Sequence, residues 1–180
     1  MPEDVANGRP FVPPLFTFRF HVAFKRDVID GKGAGVTGPD EGICEGAFSE
    51  VTGLEATLEP KVIKEGGVNY GAHQRAGQVT FGTVVLKRGT TAARDLWKWW
   101  ELFAGAGDPG RATTAQSGAY AHRLTVRVTL KDIEDMPTMR WRLERAMPVK
   151  FKAADFNARA TEVGIEELHL AHEGLYAEAL

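Results

Sequence analysis

Apolar residues recur at every second position along several stretches of this chain, and that periodicity narrows its folds more than any other feature. From Leu15 to Phe24, Phe16, Phe18, Phe20, Val22 and Phe24 fall on one side, and Thr17, Arg19 and His21 on the other. His122 to Lys131 sets Leu124, Val126, Val128 and Leu130 against Arg123, Thr125, Arg127 and Thr129. Thr138 to Ala146 sets Met139, Trp141 and Leu143 against Arg140, Arg142 and Glu144. Successive side chains of a strand point to opposite faces, so each stretch predicts a strand with one buried face. Gln78 to Lys87 reads as a further strand with both faces partly covered. Ala47 to Glu59 is another, interrupted at Gly53 as a bulge or a close backbone approach would interrupt it. Pro148 breaks the run after Ala146, and Ala160 to Leu170 shifts phase at Glu166-Glu167, which reads as a bulge.

One segment has helical periodicity. Leu96, Trp100 and Phe103 are spaced i, i+4, i+7, and Trp97 and Trp99 widen the stripe. Thr90 or Thr91 is placed to cap this helix, and Gly105 and Gly107 to end it. Leu96, Trp97, Trp100 and Phe103 are the residues expected to pack on the sheet. About six strands and one flanking helix predict a mainly β fold, a small antiparallel β-barrel or sandwich. Residues Met1 to Pro14 read as a flexible arm in which Pro10, Pro13 and Pro14 prevent regular pairing. Residues 15–180 read as a single domain, and at 180 residues in all the chain is long enough to bury roughly 70% of its unfolded surface. Asp27 to Gly46, rich in glycine, reads as a mobile surface loop.

Composition excludes several roles. A formal net charge of -2 leaves no excess of positive charge for nucleic acid or an anionic membrane. No apolar run approaches the ~20 residues of a membrane span, and the N-terminus lacks the basic-then-apolar order of a signal peptide. A single cysteine, Cys44, cannot form an intrachain disulfide and fits a reducing compartment.

No catalytic constellation emerges. Gly33 to Gly38 matches G-x-G-x-x-G, but Pro39 and Gly42 follow instead of the helix that a dinucleotide site needs. His169, His172 and Glu173 form H-x-x-H-E, yet residues three apart in an extended chain point to opposite faces and do not converge on a metal. The tryptophan stripe is read as a packing face, and the arginine rows as a solvated or interface face. The chain is therefore expected to be no enzyme and to hold no metal or cofactor.

Three motifs follow one another in a telling order: Phe48-Ser49-Glu50-Val51-Thr52-Gly53-Leu54, Glu65-Gly66-Gly67-Val68-Asn69, and Leu86-Lys87-Arg88-Gly89 ahead of the Leu96-Trp97-x-Trp99 helix. With Trp141, Ala146-x-Pro148-Val149-Lys150 and Val163-x-Ile165-Glu166-x-Leu168-x-Leu170 at the end, they resemble the tail tube proteins of contractile phages. They are equally similar to the inner-tube subunits of phage-tail-like contractile injection systems. The resemblance spans about Leu15 to Leu175. It implies a β-barrel-like subunit that assembles into hexameric rings stacked as a hollow tube, driven by a contracting sheath. A type VI-like secretion tube is the variant reading, and a monomeric β-barrel ligand-binding domain is the reading from another class. Lys61 to Gly77 would dock on the neighbouring ring through Lys61, Lys64, Glu65, Gly66, Gly67, Asn69, Tyr70, His73 and Arg75. Arg19, His21, Arg123 and Arg127 are candidates for the lumen wall or an interface. Implied partners are further copies of the chain, a sheath, baseplate and tube-terminator proteins, and effector cargo or DNA. The resemblance also implies synthesis in the bacterial cytoplasm, assembly into a phage tail or injection particle, and no stable membrane insertion.

Overall fold

In the computed structural model, the residues described are 3–4, 9–10, 14–26, 47–67, 70–104, 123–159 and 161–180. The alternating stretches become antiparallel strands. β3 (Phe20–Arg26), β8 (Leu124–Lys131) and the first part of β9 (Pro137–Lys152) pair in that order, with β11 (Gly174–Glu178) on the far side of β9. The second part of β9 continues the sheet through β10 (Ile165–Ala171), β7 (Val84–Gly89) and β4 (Phe48–Thr52). β10 and β11, separated only by His172 and Glu173, run against successive halves of β9. Between those halves stands Arg145, at a φ of +50° that few non-glycine residues adopt.

The sheet curls over one core. Val22 and Phe24 of β3, Phe48 of β4, Val84 and Leu86 of β7, Leu124, Val126 and Val128 of β8, Leu143 of β9 and Leu168 and Leu170 of β10 are all buried there. The curl does not close into a barrel. β3 and β4 are the end strands, and no backbone ladder joins them among the described residues. Side chains bridge the gap instead: the Phe24 and Phe48 rings lie 6.1 Å apart. Next to this seam a cavity of about 350 Å³ is lined by Phe20, Val51, Leu54, Met139 and Trp141 among others.

Helix α1 (Asp95–Ala104) plugs the core with Leu96 and Trp99, and Trp99 stands edge-on to Phe24. Neither Thr90 nor Thr91 caps it. The helix begins later, Lys98 N–H donates to the Arg94 carbonyl, and Arg94 takes a positive φ of 38°. Its first turn is held by Arg88, which projects from β7 into the core and is 1% exposed. The Arg88 guanidinium donates through Nη1 to Asp95 Oδ2 at 2.9 Å, through Nη2 to Asp95 Oδ1, and through Nε to Glu166 Oε1 at 2.5 Å. Burial works against the Arg88 charge, but the hydrogen bonds and negative charges of Asp95 and Glu166 outweigh it and raise its pKa above the ordinary value.

This ion network explains the phase shift at Glu166-Glu167. β10 carries no bulge there: Glu166, Leu168 and Leu170 all face inward in one register, and Glu166 is inside because Arg88 is. Ile165 and Val163, which carry the alternation ahead of that phase shift, are 40% and 74% exposed. β9 also runs through Pro148, which sits where the β9–β10 register slips and so forfeits little hydrogen bonding. Phe16 and Phe18, expected inside with Phe20, lie before the strand begins and are 70% and 65% exposed. At the N-terminus, Glu3–Asp4 (β1) pairs with Arg9–Pro10 (β2) despite Pro10. Proline keeps its carbonyl acceptor and loses only the N–H donor, so a two-residue end pairing survives. The Asp27–Gly46 loop with Cys44 and its glycine motif, Asn69, Gly105, Gly107 and His122 lie outside the described residues.

Candidate assembly interface

The segment Gln78 to Lys87 is not one strand. It splits at Gly82–Thr83, and its first part joins a hairpin that stands apart from the sheet: β5 (Ala56–Ile63) with β6 (His73–Phe81). Gly53 fixes the root. Its φ is +81°, and a Cβ there would stand 2.1 Å from the Thr83 carbonyl oxygen, so only glycine permits the approach. Gly82 N–H donates to the Glu55 carbonyl at 3.2 Å, and Phe81 stacks 5.2 Å from His172. Lys61 to Gly77, read as a loop, is therefore strand at both ends, over 61–63 and 73–77. Pro60 sits beside the register slip between Leu58 and Pro60, where ladder bonds are interrupted in any case, so the hairpin accommodates a residue that cannot donate.

Every residue of β5 is exposed, and so is most of β6. Leu58, Val62, Ile63 and Val79 leave roughly half of their surface in solvent, and Tyr70 beyond the tip is fully exposed. A two-stranded ribbon is marginal on its own, and this one offers apolar side chains that stay exposed among the described residues. Lys61 lies directly opposite Arg75, and Ile63 opposite His73, so one face presents two adjacent cations beside an isoleucine. Lys64, Glu65, Gly66 and Gly67 form the exposed approach to the tip, with Gly67 at a φ of +91°. Glu65 reaches His73 at 3.2 Å.

A second polar surface is the outer face of β3, β8, β9 and β11. Arg127, Arg140 and Arg142 converge on Glu178, at 3.3, 3.9 and 2.8 Å. Arg142 also reaches Glu144 at 3.2 Å and stacks over Tyr176. Arg123 and Arg145 both hold Glu173. The Arg145 hydrogen bond, with the charge of Arg123, keeps the Glu173 carboxyl below its ordinary pKa. Arg19 donates to the Ile133 carbonyl at 2.9 Å, and His21 is exposed beside Thr129. Arg127 thus joins a neutralised network, whereas Arg19 and His21 lie at the rim of the same sheet.

Of the helix residues singled out, Leu96 is buried, Trp100 and Phe103 are partly buried against the core, and Trp97 is 38% exposed. Trp97 packs on Trp100 and on Phe151 of β9. His169 faces Glu167, while His172 Nδ1 lies 3.0 Å from the Gly174 carbonyl. Burial lowers the His172 pKa, against the hydrogen bonds to Gly174 and Gly82.

The T4-like virus tail tube protein gp19 family matches residues 16–176, nearly the whole chain. The chain belongs to this family. It is a tail tube protein, the structural subunit of a tube. Solved structures share its fold. A chain of the anti-feeding prophage baseplate superposes with a TM-score of 0.68 at 24% identity, covering 93% of this chain and 97% of that one. A chain of the sheath–tube complex of an extracellular contractile injection system (PVC, extended state) gives 0.66 at 15% identity, covering 93% of each. A type six secretion system protein gives 0.50 at 8% identity, covering 88% of this chain and 83% of that one. A sequence search of curated proteins finds no match. No helix among the described residues of this tail tube protein is long and apolar enough to cross a membrane.

Sequence reasoning missed Arg88, Asp95 and Trp99 as the residues that fix the helix, and Glu178 as the hub of the arginines. A charged residue in phase with Val84 and Leu86 was the available signal for Arg88. Nothing local marks Glu178, whose partners come from two other strands.

Proposed function

We propose that this chain assembles as hexameric rings stacked into the hollow inner tube of a contractile injection system or phage tail, and that sheath contraction propels the tube to deliver cargo. The observation that carries this reading is the exposed hairpin β5–β6, a ribbon with uncovered apolar residues on a chain whose family builds tubes. Lys61, Lys64, Glu65, Gly66, Gly67, Asn69, Tyr70, His73 and Arg75 form the contact with the neighbouring ring. The open edges of β3 and β4 suit pairing within a ring, since an unpaired edge is a liability in a monomer and an asset in an assembly. The arginine face around Arg127, with Arg19, His21 and Arg123, lines the lumen or a subunit boundary.

The partners are then further copies of the chain, sheath, baseplate and terminator proteins, and a cargo of effector protein or DNA. The subunit is made in the bacterial cytoplasm, works without catalysis, and acts in the particle. Likeness to chains of extracellular contractile injection particles at TM-scores of 0.66 to 0.68 supports this reading. A type VI-like tube is the second reading, favoured by the likeness at 0.50 to a type six secretion system protein.

Electron microscopy and analytical ultracentrifugation of the purified chain test the proposal. Six-fold rings or tubes are expected, and a monomer at every concentration refutes it. Replacing Gly66 and Gly67 by valine tests the hairpin's role. A Cβ at either position meets nothing within 4 Å, so the fold tolerates the change while the tip conformation does not. Loss of stacking in a soluble protein is expected, and unimpaired tubes would remove the hairpin from the contact.

A further inference from the structure

The cationic, apolar face of the hairpin has a complement elsewhere on the chain. Pro14, Leu15, Phe16 and Phe18, ahead of β3, lie against the turn between β8 and β9 and enclose a cavity of about 230 Å³ with Ile133 and Thr138. Phe16, Phe18, Ile133 and Met136 are each 59–70% exposed, so this ledge is an apolar patch on the surface. Its rim is acidic. Asp132 caps the turn by accepting the Glu134 and Met136 N–H groups, Asp135 pairs with Lys131, and Glu134 projects from an exposed position between them. Among the described residues, these three carboxylates face the permanent cations Lys131 and Arg19, with His21 also near Asp135, which leaves an acidic excess when His21 is neutral.

On the hairpin, Lys61 and Arg75 are directly opposed across the two strands, and neither is in an ion pair among the described residues. Like charges so placed repel, and an anionic partner removes the penalty. Ile63 beside them supplies apolar surface of the kind the ledge would cover. Hairpin and ledge are both exposed within one chain, so neither covers the other there.

We propose that the ledge formed by Phe16, Phe18, Ile133 and Glu134 is the receptor for the Lys61/Ile63/Arg75 face of a second copy's hairpin. This rests on the ring-stacking reading above and supplies the other half of its contact. The contact is heterologous, hairpin to ledge, so each subunit offers one free donor and one free receptor. A heterologous contact that does not close on itself propagates without limit, as a tube requires.

Charge reversal tests the pairing. The Lys61→Glu/Arg75→Glu chain and the Glu134→Lys chain change only exposed side chains, so each should fold and form rings, and each should lose stacking. Mixing the two sets of preformed rings should restore tubes with alternating composition, because reversed hairpins meet reversed ledges and native hairpins meet native ledges. A photo-cross-linking residue at Ile63 in the wild-type background should join to peptides 14–20 or 131–139 of another copy. If the hairpin variant fails to stack while the Glu134→Lys chain stacks normally, or if cross-links from Ile63 fall elsewhere on the second copy, the ledge is not the receptor and the stacking reading stands. If both variants fail and mixing restores nothing, the pairing is likewise overturned. If the wild-type chain forms neither rings nor inter-copy cross-links, the stacking reading itself fails.

Discussion

Replacing Arg88 by methionine should cost about 3–5 kcal/mol of folding stability, because it strands two carboxylates that the fold placed around one guanidinium. The Arg88 side chain is 1% exposed, and those of Asp95 and Glu166 are 14% and 10% exposed, so water cannot substitute for the lost partner. Methionine keeps most of the volume, which separates the electrostatic loss from a cavity. For a chain of this length each kcal/mol lowers Tm by about 2–4 °C, so the midpoint should fall by about 6–20 °C. The helix should be the first element to loosen, since Asp95 anchors its first turn, and protection of its amides from hydrogen exchange should drop most. The Arg88 pKa lies above its ordinary value, so its contribution is complete below that value and undiminished across the neutral range. Urea unfolding, at concentrations where rings do not stack, gives the number. The chain carrying Arg88→Met, Asp95→Ala and Glu166→Met should regain most of the loss, because an all-apolar replacement leaves no charge unpaired. A loss below about 1 kcal/mol for Arg88→Met, or a triple variant no better than the single one, would refute the reasoning.

Two further outcomes are expected. Gly53→Ala should destabilise by about 1–3 kcal/mol from backbone strain alone, and more from the clash with the Thr83 carbonyl; calorimetry reads the loss, and an unchanged Tm would mean that the hairpin root is not rigid. Burial lowers the His172 pKa below its ordinary 6.5, so the unfolded chain binds the proton more readily. Stability should be full above pH 6.5 and should decline as pH falls through that value toward the folded pKa; His172→Phe should flatten this part of the profile in urea titrations, and an unaltered slope would assign it to other groups.

The strands of the core were legible because each needs only a local pattern: alternation places Val22 and Phe24, or Val126 and Val128, on one side whatever their neighbours do. The exposed hairpin was not. Its residues alternate weakly, Pro60 and four glycines argue against pairing, and its root depends on Gly53 meeting the Thr83 carbonyl 30 residues away. The same limit applies to the sites. Lys61, Lys64 and Arg75 could be placed in a contact segment from the resemblance, but that Lys61 stands opposite Arg75 is a matter of register, which no single strand encodes.

The sequence by itself determined a mainly β chain with one helix, the inward faces of its long strands, and membership of a tube-building family, because periodicity and motif order are properties of contiguous residues. Tertiary structure alone decided that the sheet stays open between β3 and β4, and that β7 and β10 each turn one charge inward. It also decided that a hairpin and an acidic ledge face outward on the same chain. Each of these depends on which distant segments meet. A buried arginine is an error in one strand and a lock once Glu166 and Asp95 arrive from two other elements.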